Sequence, residues 1–83
     1  MKQVSTGTGH IVRVETSFIG SITVFYDGNK IATGSRALLG GANCMFQVTE
    51  NDQLVTYECS TRVALAMDDH LTVRRNGIVI YTD

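Results

Sequence analysis

Along most of this chain apolar and polar residues alternate with a period of two, the spacing of half-buried β-strands. The clearest case is the run after residue 53. Val55, Tyr57, Cys59, Thr61, Val63, Leu65 and Met67 fall on one parity, and Thr56, Glu58, Ser60, Arg62 and Ala64 on the other. That is long for one strand, so a bulge or bend is expected between Ser60 and Ala64. A helical turn over 62–67 is the alternative reading of RVALAM. Before it, Cys44 to Thr49 alternates in the same way, with Glu50-Asn51-Asp52-Gln53 as polar turn material. An even loop there sets Val48 against Val55, Phe46 against Tyr57 and Cys44 against Cys59. A three-residue loop would put Phe46 opposite Glu58 and spoil the apolar face, so the even loop is favoured.

Two dipeptides mark further hairpins. Asp27-Gly28 separates Ser21–Tyr26 from Asn29–Ser35, and Asn76-Gly77 separates His70–Arg75 from Ile78–Thr82. Both suit a type I′ turn, in which two residues take positive φ. Regular pairing then sets Phe25 against Lys30, Val24 against Ile31, Ile22 against Thr33, and Val73 against Ile80. Residues 10–16 alternate as one more strand. Residues 1–9 are polar and rich in Gly and Thr, which reads as a flexible arm. Arg36 to Asn43 carries Gly40-Gly41 and reads as a connection, with Leu38-Leu39 over an open end of the core. Seven or so short strands joined by hairpins predict an all-β fold, a small antiparallel β-sandwich or partly open barrel, as one domain over 10–83.

The order of these features resembles one domain of the Fas apoptotic inhibitory molecule family. The residues that carry the resemblance are His10-Ile11 with Glu15, VFYDGNK at 24–30, Phe46-Gln47-Val48, and LTVRRNGIVI at 71–80. It implies a compact antiparallel β-sandwich without catalytic machinery, acting through protein contacts. The chain departs from that pattern in being a single module, and in having GSRALLGG where an aromatic-rich segment stands in the family.

Composition narrows the function classes. Seven Lys and Arg stand against eight Asp and Glu, a net charge of −1, with no basic block to track phosphates, so no nucleic-acid partner is expected. No apolar run is long enough for a membrane span, and MKQVSTGTGH has no signal-peptide core. A cytoplasmic protein is the default expectation and a trimmed secreted one the alternative. The absence of Pro leaves the ladders uninterrupted.

Few residues offer chemistry. Cys44 and Cys59 are placed side by side by the register, within disulfide reach. Their position on the apolar stripe favours two buried free thiols over a disulfide. His10, and His70 with Asp68 and Asp69, lack metal-ligand spacing, so no metal or cofactor is implied. An acid–base role for His70 with either aspartate has no nucleophile placed beside it. The glycines match neither phosphate-loop pattern. Arg36, Arg62, Arg74 and Arg75 are candidates for an anion-binding surface, although adjacent Arg74 and Arg75 point to opposite faces. Phe18, Leu38 and Leu39 are left over from the stripes and are candidates for a partner-binding patch. The sequence thus favours a non-enzymatic protein-interaction module, homo-oligomeric, acting through a sheet edge or an apolar face. A small-molecule or anion-binding β-domain, with its pocket between sheets or protomers, is the alternative.

Overall fold

The computed structural model describes residues 2–16, 21–35, 42–62 and 70–83, without the side chains of Ser35 and Arg62. These residues form two four-stranded antiparallel sheets packed face to face, a small β-sandwich with no closed barrel. The first sheet is a meander of β1 (Lys2–Ser5), β2 (Ile11–Thr16), β3 (Ser21–Tyr26) and β4 (Asn29–Ser35). The second is a meander of β5 (Asn43–Glu50), β6 (Gln53–Arg62), β7 (His70–Arg75) and β8 (Ile78–Thr82). Residues 2–5, read from the sequence as part of a flexible arm, are an edge strand. Val4 pairs with Val12 and is 3% exposed, because its alternation brings one apolar side chain into the core. The sandwich therefore begins at Lys2 rather than at residue 10. Of the stretch 62–67, only Arg62 lies in a described element, the end of β6, and the rest lies outside the described residues; of the bend expected between Ser60 and Ala64, the described part, residues 60–62, pairs in unbroken register with β7.

The core is built from the inward parities. Val12 and Val14, and Ile22 and Val24, come from the first sheet. Cys44 and Phe46, Val55 with Tyr57 and Cys59, and Leu71 with Val73 come from the second. The β5–β6 register is the expected one, with Val48 on Val55, Phe46 on Tyr57 and Cys44 on Cys59. Its loop is the two residues Asn51 and Asp52, both at positive φ.

The two outer hairpins turn where expected, with positive φ at Asp27-Gly28 and at Asn76-Gly77. Their registers then depart from regular pairing. Phe25 faces Lys30, but a bulge shifts the ladder so that Val24 faces Ala32, not Ile31, and Ile22 faces Gly34, not Thr33. The cause lies at the corner between the sheets. A side-chain carbon on Gly34 would sit 2.5 Å from the Asn43 carbonyl oxygen and 3.0 Å from Ile22 Cγ2. Only the smallest residues fit that inward position, and the extra residue at Ile31 delivers them there. In the second sheet the same shift follows Arg74, so that Val73 faces Tyr81 rather than Ile80. Both Ile80 and Tyr81 then reach the core, and Thr82 stands opposite Thr72 with their hydroxyls 3.1 Å apart.

The two meanders repeat each other in detail. In each, the first turn residue is clamped to the neighbouring strand. The Ile11 N–H donates to Asp27 Oδ1 at 3.0 Å, and the Asp27 N–H donates to the Ile11 carbonyl at 2.9 Å. The Thr56 N–H donates to Asn76 Oδ1 at 2.9 Å, and the Asn76 N–H to the Thr56 carbonyl at 2.7 Å. This is why Asp or Asn precedes Gly in these turns: the short side chain is an acceptor as well as tolerant of positive φ. The sequence carries a matching trace, with Thr23/Thr72, Val24/Val73, Gly28/Gly77, Ile31/Ile80 and Thr33/Thr82 at one constant spacing.

Gly34→Ala is expected to cost about 1–3 kcal/mol in urea denaturation, since backbone rather than a flexible side chain opposes the added methyl. A variant as stable as wild type would show that the β4–β5 corner yields freely.

Candidate functional site

The inward stripes of three strands end in polar residues at the tight-turn end of the sandwich. Ile22 and Val24 lead to Tyr26, Cys44 with Phe46 and Val48 to Glu50, and Leu71 with Val73 to Arg75. These ends converge. Glu50 Oε2 accepts the Tyr26 hydroxyl at 2.5 Å and the Tyr57 hydroxyl at 2.6 Å. Its Oε1 accepts Arg75 Nη2 at 2.8 Å, with Arg75 Nε and the Thr8 hydroxyl each at 3.3 Å. The Glu50 side chain is 1% exposed. Aromatic rings wall it in: Phe46 stacks on Tyr57 with centroids 5.2 Å apart, and Tyr26 meets Phe46 edge-on.

The electrostatics follow from these contacts. Burial pushes the Glu50 carboxyl up, but the hydrogen bonds from Tyr26, Tyr57 and Arg75, with the Arg75 charge, outweigh it and bring the pKa down to about 2. Burial and the neighbouring carboxylate raise both tyrosines above the ordinary phenol value. The Arg75 guanidinium is raised by its bond to Glu50. A carboxylate held so acidic, with both oxygens occupied, is a poor proton acceptor near neutral pH. Its chemistry is that of a fixed anion joining the sheets, since Tyr26 belongs to the first and Tyr57 and Arg75 to the second.

Beside this cluster, His10 stacks on Tyr26 with centroids 5.1 Å apart, and its Nδ1 lies 2.6 Å from Asp27 Oδ2. That hydrogen bond, with the one from the Ile11 N–H, lowers the Asp27 pKa. The pair is half exposed and closes the β3–β4 turn over the β1–β2 loop.

The residues singled out from the sequence are dispersed. Arg75 is committed to Glu50. Arg74 points to the outer face, 3.3 Å from Glu58 Oε1, beside a polar groove of about 340 Å³ lined in part by Ser60, His70, Thr72 and Asp83. The two arginines therefore share no surface. Arg36 and the Arg62 side chain lie outside the described residues, as do Phe18, Leu38 and Leu39 and the aspartates 68 and 69. His70 Nδ1 instead stands 3.9 Å from Asp83 Oδ1. Cys44 and Cys59 face each other as free thiols in the core, 4% and 0% exposed. Burial raises both, Cys59 to about 12, which leaves them inert as nucleophiles. Among the described residues, no group of three His, Cys, Asp or Glu side chains could hold a metal ion, and no helix is long and apolar enough to cross a membrane.

The Glu50 cluster was not apparent as a site from the sequence, where Glu50 reads as turn material. The signal was present: with a two-residue loop, Glu50 has the inward parity of Cys44, Phe46 and Val48. No family model, curated protein or solved structure matches the chain significantly, so the resemblance to the Fas apoptotic inhibitory molecule family rests on its turn and strand motifs.

Because the folded-state pKa of Glu50 is depressed, the stability it contributes is complete above its unfolded value near 4.5 and is lost as pH falls toward about 2. The loss is on the order of 3 kcal/mol. Glu50→Gln should lower stability at neutral pH by about 2–4 kcal/mol by leaving Arg75 unpaired, and should flatten the acid limb of the profile. Denaturant unfolding of both proteins from pH 7 to 2 checks this. Parallel profiles would assign the acid transition to other carboxyls.

Proposed function

We propose that the chain is a non-enzymatic protein-interaction module that takes its partner, in the first place a second copy of itself, along the free edge of β8. The observation that carries the reading is the character of that edge. Ile78 to Thr82, IVIYT, has no charge, no Pro and no Gly, and Ile78 and Val79 are 69% and 46% exposed. An edge strand with those properties presents unpaired backbone groups and apolar side chains to another strand.

β1 and β4, the two edges of the first sheet, are less suited. β1 is four residues long and begins with Lys2, whose ammonium is bonded to Asp83. β4 carries Lys30 and Gly34, and it meets the start of β5 at Asn43. Antiparallel pairing of β8 with its symmetry mate would set uncharged residues against uncharged residues, a self-complementary contact of the kind that closes a dimer. It would also remove the exposed isoleucine and valine from water, a gain that matters in a domain this small. Two buried free thiols support a reducing compartment, the cytoplasm in this reading.

Sedimentation of wild type and of the double variant Ile78→Lys/Val79→Lys tests the reading. Wild type is expected to sediment as an oligomer, and the variant as a folded monomer, with association weakened about tenfold or more. A wild-type monomer at its highest soluble concentration, or a variant that assembles unchanged, would sink the β8 assignment.

A further inference from the structure

A row of side chains crosses the outer face of the first sheet. Gln3, Arg13, Phe25 and Lys30 are successive ladder partners from β1 to β4. Arg13 lies on Phe25, its Cζ 4.2 Å from the ring centroid. The contact holds the guanidinium in one orientation, so little rotamer freedom remains for a ligand to remove. Arg74 and Arg75 each have a carboxylate, but among the described residues Arg13 has none. Its Nε is buried and has no hydrogen-bond partner among the described residues. A buried donor left unpaired is costly, and among the described residues only the stacking on Phe25 compensates the guanidinium.

Beside Arg13 lies a groove of about 360 Å³, lined by Gln3, Ile11, Arg13, Asp27 and Gly28. That volume suits a small molecule. Ile11 is 49% exposed there and supplies an apolar wall. The Asp27 carboxylate in this lining is already engaged, Oδ1 by the Ile11 N–H and Oδ2 by His10. Lys30 adds a second positive charge on the far side of Phe25.

We propose that this groove binds a small organic anion, a carboxylate or phosphate head on an apolar body, with Arg13 as its anchor. The planar fork of the guanidinium matches both heads in bidentate fashion through its Nη groups, Nε being buried. Ile11 receives the body. The site lies on the opposite sheet from β8 and does not depend on the interaction reading.

Titration of the ¹⁵N-labelled protein with benzoate, phenyl phosphate, inorganic phosphate and sodium chloride, followed by NMR, tests this. Benzoate or phenyl phosphate should shift the amides of Ile11, Arg13 and Gly28 and the Arg13 Nε–H saturably, while chloride should not. Arg13→Gln should weaken binding by about tenfold or more, and Arg13→Lys, which keeps the charge without the fork, should fall between. Lys30→Gln should cost about twofold, as an exposed charge does. Equal responses of wild type and Arg13→Gln, in variants whose circular dichroism is unchanged, would overturn the site. Inorganic phosphate binding as tightly as phenyl phosphate would overturn the apolar half of the ligand.

Discussion

The Glu50 carboxylate is the fixed point of this molecule. Two meanders that share only the connection 36–42 must stay face to face, and apolar packing alone is non-directional. Glu50 supplies direction. One oxygen takes hydroxyls from both sheets, and the other takes the Arg75 guanidinium and the Thr8 hydroxyl of the β1–β2 loop. A buried anion is tolerable only when every lone pair is met, and here four side chains meet it. The aromatic wall of Phe46, Tyr57 and Tyr26 keeps water away and strengthens each of those bonds. Low pKa, raised tyrosines and sealed geometry are consequences of one arrangement, and together they describe a structural latch rather than a reactive centre.

Around that latch the chain solves one problem twice. Each half needs an outer hairpin that turns tightly, docks its turn on the neighbouring strand, and then shifts register by one residue. Asp27-Gly28 and Asn76-Gly77 do this with the same pair of backbone and side-chain bonds. The halves differ in what they bury: the bulge brings Ala32 and Gly34 inward in the first and Tyr81 in the second. At the β4–β5 corner Gly34 abuts Asn43, which leaves no room there for a larger residue.

The polar interior is closed, and what stays unmatched among the described residues lies at the surfaces. β8 offers an uncharged edge, and the outer face of the first sheet offers Arg13 held on Phe25. Of the four arginines that stood out in the sequence, Arg74 and Arg75 are already paired with carboxylates, and Arg36 and the Arg62 side chain lie outside the described residues. Among the described residues the arginine that stands apart is Arg13, hidden in an ordinary alternating strand. Pairing partners of charges are set across strands, so a linear pattern ranks them poorly.

Periodicity and turn chemistry determined a great deal by themselves: the all-β class, the positions of the two Gly-containing turns, the inward stripes, and the β5–β6 register down to Cys44 on Cys59. These are local or nearest-neighbour properties, fixed by which face each residue presents and by which residues accept positive φ. Only the tertiary structure decided the rest. Lys2–Ser5 became a strand because a neighbouring ladder and a core position for Val4 were available. The shifts at Ile31 and Ile80 depended on the space left by the opposite sheet. Glu50 moved from turn to latch because Tyr26, Tyr57 and Arg75, distant in the chain, arrive at the same buried point, and a carboxylate's environment is made by whatever the fold brings to it.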